Sequence, residues 1–459
     1  MPINPKIIRE YDIRGIVDQT LTTTDAFLIG WSFAQLAQGE YVNVACDGRL
    51  SSPIMTKALI DGLIKGGAKT RFIGVGPTPM LYFSAFHFAA AGGIMITGSH
   101  NPPTHNGFKF IYRNKPFFGE DIRKLAAMSF SAPTQESQTT WAADDSTITV
   151  DCTDAYIARI MADNAAAKQL KIVWDPGNGA TGNIVKILTE KLPGQHILVN
   201  EKIDGHFPNH HPDPTVKENL EQIIAIIKEQ KCDFGLAFDG DGDRIGVVDS
   251  KGRIVWGDQL LLIFAKSILA KTPGAVIIAD VKASQKLFDG VAALGGEPLM
   301  WKTGHSLIKT KMQERSAPLA GEMSGHIFFA DRYYGYDDAM YAALRLIDIL
   351  ATSKLSLTEM IDALPEIYNT PEIRIDCDDD KKFTVIDEIK AKFNAEGKAF
   401  NDIDGIRFNY PYGWWLLRAS NTQAVLVARC EADSPQNLEL LCREVASILE
   451  VYGLKTDEL

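Results

Sequence analysis

Three aspartates spaced by two, Asp239-Gly-Asp241-Gly-Asp243, form a dense cluster of charge in this sequence. Carboxylates this close repel one another unless a cation lies among them. The glycines between them let the backbone curl so that all three converge. An EF-hand loop needs glycine at its sixth position and glutamate at its twelfth. Here those positions are Arg244 and Ser250, and the flanks read as strands rather than helices. The donors are all hard oxygens, which favours Mg²⁺. A second candidate is Ser99, at the crest of Thr97-Gly-Ser-His-Asn-Pro102. The uncharged run 88–96 precedes it, and residues 106–112 follow with strand-like alternation. A buried strand is therefore expected to deliver a small polar loop, with one serine at its tip, to the surface.

Two further loops carry chemistry. Gly321-Glu-Met-Ser-Gly-His326 brings a carboxylate, a hydroxyl and an imidazole together between glycines. Glu322 and Ser324 are suited to grip vicinal sugar hydroxyls, by accepting and donating hydrogen bonds. His326 could move a proton near neutral pH. In Arg418-Ala-Ser-Asn-Thr422, the guanidinium, the Ser420 and Thr422 hydroxyls, the Asn421 amide and turn N–H groups suit a phosphate that does not react. Lys282 and the segment Lys302-Thr-Gly-His305 add basic groups after strands. Tyr11-Asp-Ile-Arg14-Gly places an arginine early, and Lys109 follows the serine loop.

The elements that must hold these loops repeat at long range. Residues 41–47, 171–175 and 275–280 are apolar strands ending in aspartate. Helical patterns follow at 53–66, at 183–192 and after Ser284. A second apolar strand then opens into a special loop: 93–97 before Ser99, 234–238 before the aspartates, and 317–320 before Glu322. This alternation implies three related α/β domains with mixed, largely parallel sheets, whose ligand sites lie at strand C-terminal ends. The tail has strand, helix, two strands and a final amphipathic helix over 434–452, a smaller α+β domain. The polar stretch 133–147, the turn at 249–252 and the prolines at 365 and 371 divide the chain into 1–150, 151–252, 253–367 and 368–459.

With 46 % apolar and 23 % charged residues the composition is that of a globular protein with a sizeable core. A formal net charge of −11 argues against a broad nucleic-acid or anionic-membrane surface. The six cysteines are scattered without metal-like spacing, as in a reducing compartment. Met-Pro-Ile-Asn-Pro-Lys carries no apolar signal segment, and no run is long enough to span a bilayer. A soluble cytoplasmic monomer, with neither nucleic acid nor membrane as partner, is expected.

Taken together, the serine loop, the aspartate loop, the 321–326 loop and the 418–422 loop, in that order, resemble the α-D-phosphohexomutase family. The resemblance covers the whole chain and implies four domains around a central cleft. It implies that Ser99 is carried as phosphoserine and passes its phosphoryl to a hexose 1- or 6-phosphate. The hexose 1,6-bisphosphate so formed turns around and returns its other phosphate. Asp239, Asp241 and Asp243 would hold Mg²⁺ against Ser99, while Arg14, Lys109 and Arg244 stabilise the transferring group. His326, or alternatively Lys109, would shuttle the proton. Tyr11, Lys282, His305, Glu322, Ser324, Arg418, Ser420, Asn421 and Thr422 would bind the sugar phosphate. Glu322-Met-Ser324 is similar to the phosphomannomutase/phosphoglucomutase branch, whereas phosphoglucosamine mutases usually carry glutamine in place of Met323. Mannose and glucose phosphates are thus the expected substrates. A phosphoglucosamine mutase and a metal-dependent sugar-phosphate phosphatase stay open as alternatives. A catalytically silent sensor fits poorly with the presence of Ser99 and all three aspartates.

Overall fold

A computed structural model describes residues 2–133, 147–164, 168–421 and 423–456. Four sheets follow one another along the chain. The first runs, edge to edge, Ile13–Ile16, His105–Tyr112, Gly92–Ile96, Tyr41–Cys46, Lys69–Val75 and Thr147–Thr149. Its centre is parallel, and His105–Tyr112 is antiparallel to its neighbours. The second runs Gly194–Leu198, Leu170–Asp175, Phe234–Phe238, Ile245–Asp249 and Ile254–Val255, parallel at first and antiparallel beyond Phe234–Phe238. In the third, Glu297–Trp301, Val276–Asp280 and Leu319–Gly321 are parallel and Ile327–Phe329 returns antiparallel. The fourth is antiparallel, with Val425–Ala432 between Gly413–Ala419 and the short strands Tyr368–Asn369 and Ile373–Asp376.

One device recurs in all four. A central strand leaves the core, the chain makes a tight loop, and the next strand returns antiparallel beside it. Gly92–Ile96 and His105–Tyr112 flank the Ser99 loop, and Phe234–Phe238 and Ile245–Asp249 flank the aspartates. Leu319–Gly321 and Ile327–Phe329 flank residues 322–326, and Gly413–Ala419 and Val425–Ala432 flank residues 420–424. Buried delivery strands make the loops rigid: Ile94, Met95 and Ile96 are fully buried, each worth about 1.5–3 kcal/mol in apolar burial.

One expectation changes. Residues 106–111 form a strand but do not alternate in exposure, since all six are buried. Phe108 and Phe110 belong to the first unit's core, while the polar Lys109 faces the second unit instead of water. Within the apolar run 88–96 the chain turns at Ala89, whose φ is +46°, and the strand begins at Gly92, one residue before the start read from the sequence. The edge of the second sheet is Ile254–Val255, which pairs with Ile245–Asp249. Of the polar stretch expected to carry the first break, residues 134–146 lie outside the described residues, and Thr147–Thr149 pairs with Lys69–Val75 in the first sheet. Among the described residues, no helix is long and apolar enough to cross a membrane.

Candidate active site

Ser99 has a left-handed φ of +48° and is buried. For an L-residue that conformation costs about 1–2 kcal/mol, so surrounding contacts must hold it. Its N–H donates to Thr97 Oγ1 (2.8 Å), and the Thr97 hydroxyl in turn donates to Asp47 Oδ2 (2.8 Å). Ser99 Oγ donates to Asp239 Oδ2 at 2.8 Å, joining the serine loop of the first unit to the aspartate loop of the second. Gly240 permits that approach, since a Cβ there would lie 2.4 Å from the Ser99 carbonyl oxygen. His100 Nδ1 is 3.1 Å from Ser99 Oγ. Burial, then the positive charges of Arg244, Arg14 and Lys109, push the His100 imidazole well below its usual range, so it is neutral at pH 7.

Asp239, Asp241 and Asp243 are all buried and converge, with one ligand atom from each within 4.8 Å of the others. Their remaining oxygens are distributed systematically. Asp239 Oδ1 accepts the backbone N–H groups of Asp243 (3.0 Å) and Arg244 (3.1 Å). Asp241 Oδ2 accepts from Lys109 Nζ (2.7 Å) and from Thr78 Oγ1 (2.5 Å), and Asp243 Oδ2 also accepts from Lys109. The Oδ1 atoms of Asp241 and Asp243 are buried without any partner. Two unpartnered anionic oxygens, the Asp239 oxygen and the serine hydroxyl make an all-oxygen set that fits a hard divalent cation. Burial, then Asp243 and Asp241, push the Asp239 carboxyl well above its usual range. That is the electrostatic mark of a cluster built around more positive charge than Lys109 supplies. Burial opposes the Lys109 charge, but Asp241 and Asp243 outweigh it and hold the ammonium well above its usual range.

Arg244 Nε donates to His326 Nε2 (3.0 Å). This makes Nε2 the acceptor and puts the imidazole proton on Nδ1, which lies 3.0 Å from Asp337 Oδ2 and 3.7 Å from Asp243 Oδ1. His305 stacks on His326 with centroids 5.6 Å apart. Both nitrogens of His326 are thus turned to Arg244 and Asp337 rather than to Ser99. Glu322 is buried, with Oε1 accepting from the Gly304 N–H and Oε2 from Ser324 Oγ, both at 3.3 Å. The 322–326 loop docks on the aspartate loop through the Ile245 N–H, which donates to the Gly325 carbonyl at 3.0 Å.

The remaining expected residues fall into two groups. Arg14 donates to Asn101 Oδ1 (2.9 Å) and Asp12 Oδ2 (2.5 Å), on the rim of the serine loop. Tyr11 and Asn421 link the first, third and fourth units, and Arg418 is held within the fourth. Asn421 Nδ2 donates to the Tyr11 hydroxyl (2.7 Å), which donates to the Thr303 carbonyl (2.9 Å), and Arg418 Nε donates to Asp404 Oδ2 (3.0 Å). The Ser420 hydroxyl accepts from the Gln423 N–H. Lys282 is paired with Glu372 at 2.9 Å and Asp280 at 3.7 Å. Thr422 lies outside the described residues.

Several contributors escaped the sequence reading. Asp47 and Arg49 brace the serine loop, Thr78 grips Asp241, Asp337 backs His326, and His100 touches Ser99 although it was read only as part of the loop. The repeated strand ending in aspartate did point to Asp47.

Four family models match the chain in order. The phosphoglucomutase/phosphomannomutase alpha/beta/alpha domains I, II and III match residues 5–136, 154–252 and 256–368, and the C-terminal domain matches 372–448. A phosphomannomutase/phosphoglucomutase of Pseudomonas putida is 45 % identical over 436 residues, covering 94 % of this chain and 93 % of its own. A phosphoglucomutase of Neisseria gonorrhoeae is 40 % identical over 457 residues, covering 98 % and 97 %. The crystal structure of a phosphoglucomutase/phosphomannomutase family protein from Burkholderia thailandensis superposes with a TM-score of 0.87 at 40 % identity, covering 97 % of each chain.

Proposed function

The chain belongs to the phosphoglucomutase/phosphomannomutase family, and we propose that it moves a phosphoryl group reversibly between C1 and C6 of mannose and glucose phosphates. The observation that carries this reading is the contact between Ser99 Oγ and Asp239 Oδ2, beside two buried carboxylate oxygens without partners. A serine so placed can carry a phosphoryl group and exchange it with a sugar hydroxyl. One difficult isomerisation thereby becomes two easier transfers through a hexose 1,6-bisphosphate.

Asp239, Asp241 and Asp243, with the serine phosphate, would hold Mg²⁺, which neutralises charge on the transferring group. In the first transfer the bond between the Ser99 oxygen and phosphorus breaks as the sugar hydroxyl oxygen bonds to that phosphorus; in the second the bond between the other sugar oxygen and its phosphorus breaks as the Ser99 oxygen takes that phosphoryl back. The proton leaving the attacking hydroxyl is received at His326 Nε2 once Arg244 releases that nitrogen to the transferring phosphoryl group, with Asp337 steadying the imidazolium at Nδ1. Lys109, held charged by Asp241 and Asp243, acts as a fixed positive charge rather than as a base. Arg14 and Arg244 complete the positive surround. Glu322 and Ser324 read sugar hydroxyls. Arg418, Ser420, Asn421 and Thr422, with Tyr11, Lys282 and His305, hold the distal phosphate in either orientation of the intermediate. The protein is read as a cytoplasmic monomer acting on small sugar phosphates. Its units are 1–150, 151–252, 253–367 and 368–459.

Turnover of mannose 1-phosphate, glucose 1-phosphate and glucosamine 1-phosphate, compared with Mg²⁺ and a trace of glucose 1,6-bisphosphate, tests the reading. Conversion of the first two to 6-phosphates without free phosphate is expected. Preference for the glucosamine substrate, or phosphate release without isomer, would overturn it.

A further inference from the structure

We infer that Arg49 is the positioning residue that holds Ser99 in its left-handed, Asp239-facing conformation, and that Phe207 of the second unit completes the clamp. The inference rests on the phosphoserine reading of Ser99. Arg49 is buried and follows the strand Tyr41–Cys46 by three residues. All five of its N–H donors are used. Nε donates to Asp47 Oδ2 (3.1 Å), Nη1 to the carbonyls of Pro102 (2.6 Å) and His105 (3.0 Å), and Nη2 to those of Ser99 (2.7 Å) and Asn101 (2.5 Å). One planar fork therefore fixes four carbonyls, that of the nucleophile and three that follow it, a task that suits guanidinium and not ammonium.

The counter-charge is equally committed. Asp47 Oδ2 also accepts from the Thr97 hydroxyl and the Gly98 N–H, while Oδ1 accepts from the Arg49 N–H and the Ser52 hydroxyl. Gly98 has no room for a side chain, since a Cβ would meet the guanidinium at 2.5 Å. The open face of the guanidinium is covered by the Phe207 ring, whose centroid is 5.2 Å from Cζ. The segment bearing Phe207 is laid tightly on this corner, for a Cβ at Gly205 would lie 2.6 Å from the Gly48 carbonyl oxygen. Ser99 is thus aimed from below by Arg49. Through Phe207, the same unit that supplies the aspartates also braces the serine that must meet them.

Arg49→Lys keeps the charge and loses the fork. Two readouts test the clamp in the full chain: the rate at which Ser99 takes label from glucose 1,6-bisphosphate, and hydrogen exchange of the amides in residues 97–105. For Arg49→Lys, labelling and kcat are expected to fall by about 30-fold or more, with KM for glucose 1-phosphate within about threefold and exchange in 97–105 accelerated. Phe207→Leu should move both readouts in the same direction by a few-fold, and it carries the test alone if Arg49→Lys does not fold. Parental labelling and exchange in both variants would overturn the clamp. So would slow labelling with parental exchange in 97–105, because Arg49 would then act otherwise than through the loop. A parent protein that takes no label on Ser99 would overturn the phosphoserine reading and the proposal with it, and exchange would still report separately whether Arg49 orders the loop.

Discussion

Replacing Lys109 with methionine removes an ammonium that bridges two buried aspartates and keeps most of the side chain's length. Lys109, Asp241 and Asp243 are each at most 4 % exposed, so solvent does little to screen them. Removing one partner of such a buried pair costs about 3–5 kcal/mol. Lys109 takes the Oδ2 atoms of Asp241 and Asp243 while their Oδ1 atoms lack partners, so a cation held by these carboxylates would bind the side opposite the lysine. The variant's cluster is one charge more negative, and its affinity for a divalent cation should rise. A pair of unit charges about 4 Å apart at an effective dielectric of about 20 is worth about 4 kcal/mol, enough to offset most of the loss. Urea denaturation of both proteins in chelator and in saturating Mg²⁺ measures this. The expected result is a deficit of about 3–5 kcal/mol in chelator that shrinks to less than about 2 kcal/mol with the metal. An equal deficit in both conditions would refute the shared cluster.

Other expectations follow from single contacts. Ser99→Ala should lower turnover by orders of magnitude while the denaturation midpoint stays near parental, because both side chains face the same left-handed backbone; parental activity would exclude the phosphoserine. Burial pushes the Asp338 carboxyl up to about 6 from its ordinary 3.8, against the hydrogen bonds it accepts from the Tyr341 N–H and from Tyr333 and Tyr156. A raised carboxyl binds more protons folded than unfolded, so between pH 3.8 and about 6 this group destabilises the protein as pH rises, by about 3 kcal/mol in all. Asp338→Asn removes that term, so its stability relative to the parent should improve from pH 4 to pH 7, read by denaturation at each pH; a constant difference would contradict it. Tyr11→Phe cuts the link between Asn421 and Thr303, and KM for sugar phosphates should rise about 5- to 30-fold, with kcat little changed, as steady-state kinetics will show.

What the sequence made legible was local. Asp239, Asp241 and Asp243 announce themselves because ligands two residues apart on a glycine turn need no tertiary information to converge. The strands before each loop are apolar enough to be recognised singly, and their repetition gave three α/β units. What stayed hidden acts across units. Phe207 covers Arg49 and Thr78 grips Asp241, and each pair is separated by a stretch of chain that periodicity cannot bridge. The buried Lys109 misled the exposure pattern of its strand for the same reason, since a second unit replaces water on the face where a polar residue predicts solvent.

The most direct measurement mixes protein carrying radiolabelled phosphate on Ser99 with unlabelled glucose 1-phosphate and Mg²⁺ for a single turnover. Label should leave the protein, appear in glucose 1,6-bisphosphate and end in glucose 6-phosphate, while the unlabelled phosphate from C1 returns to Ser99. Label that stays on the protein while isomer forms, or that emerges as inorganic phosphate, would contradict a mutase working through Ser99.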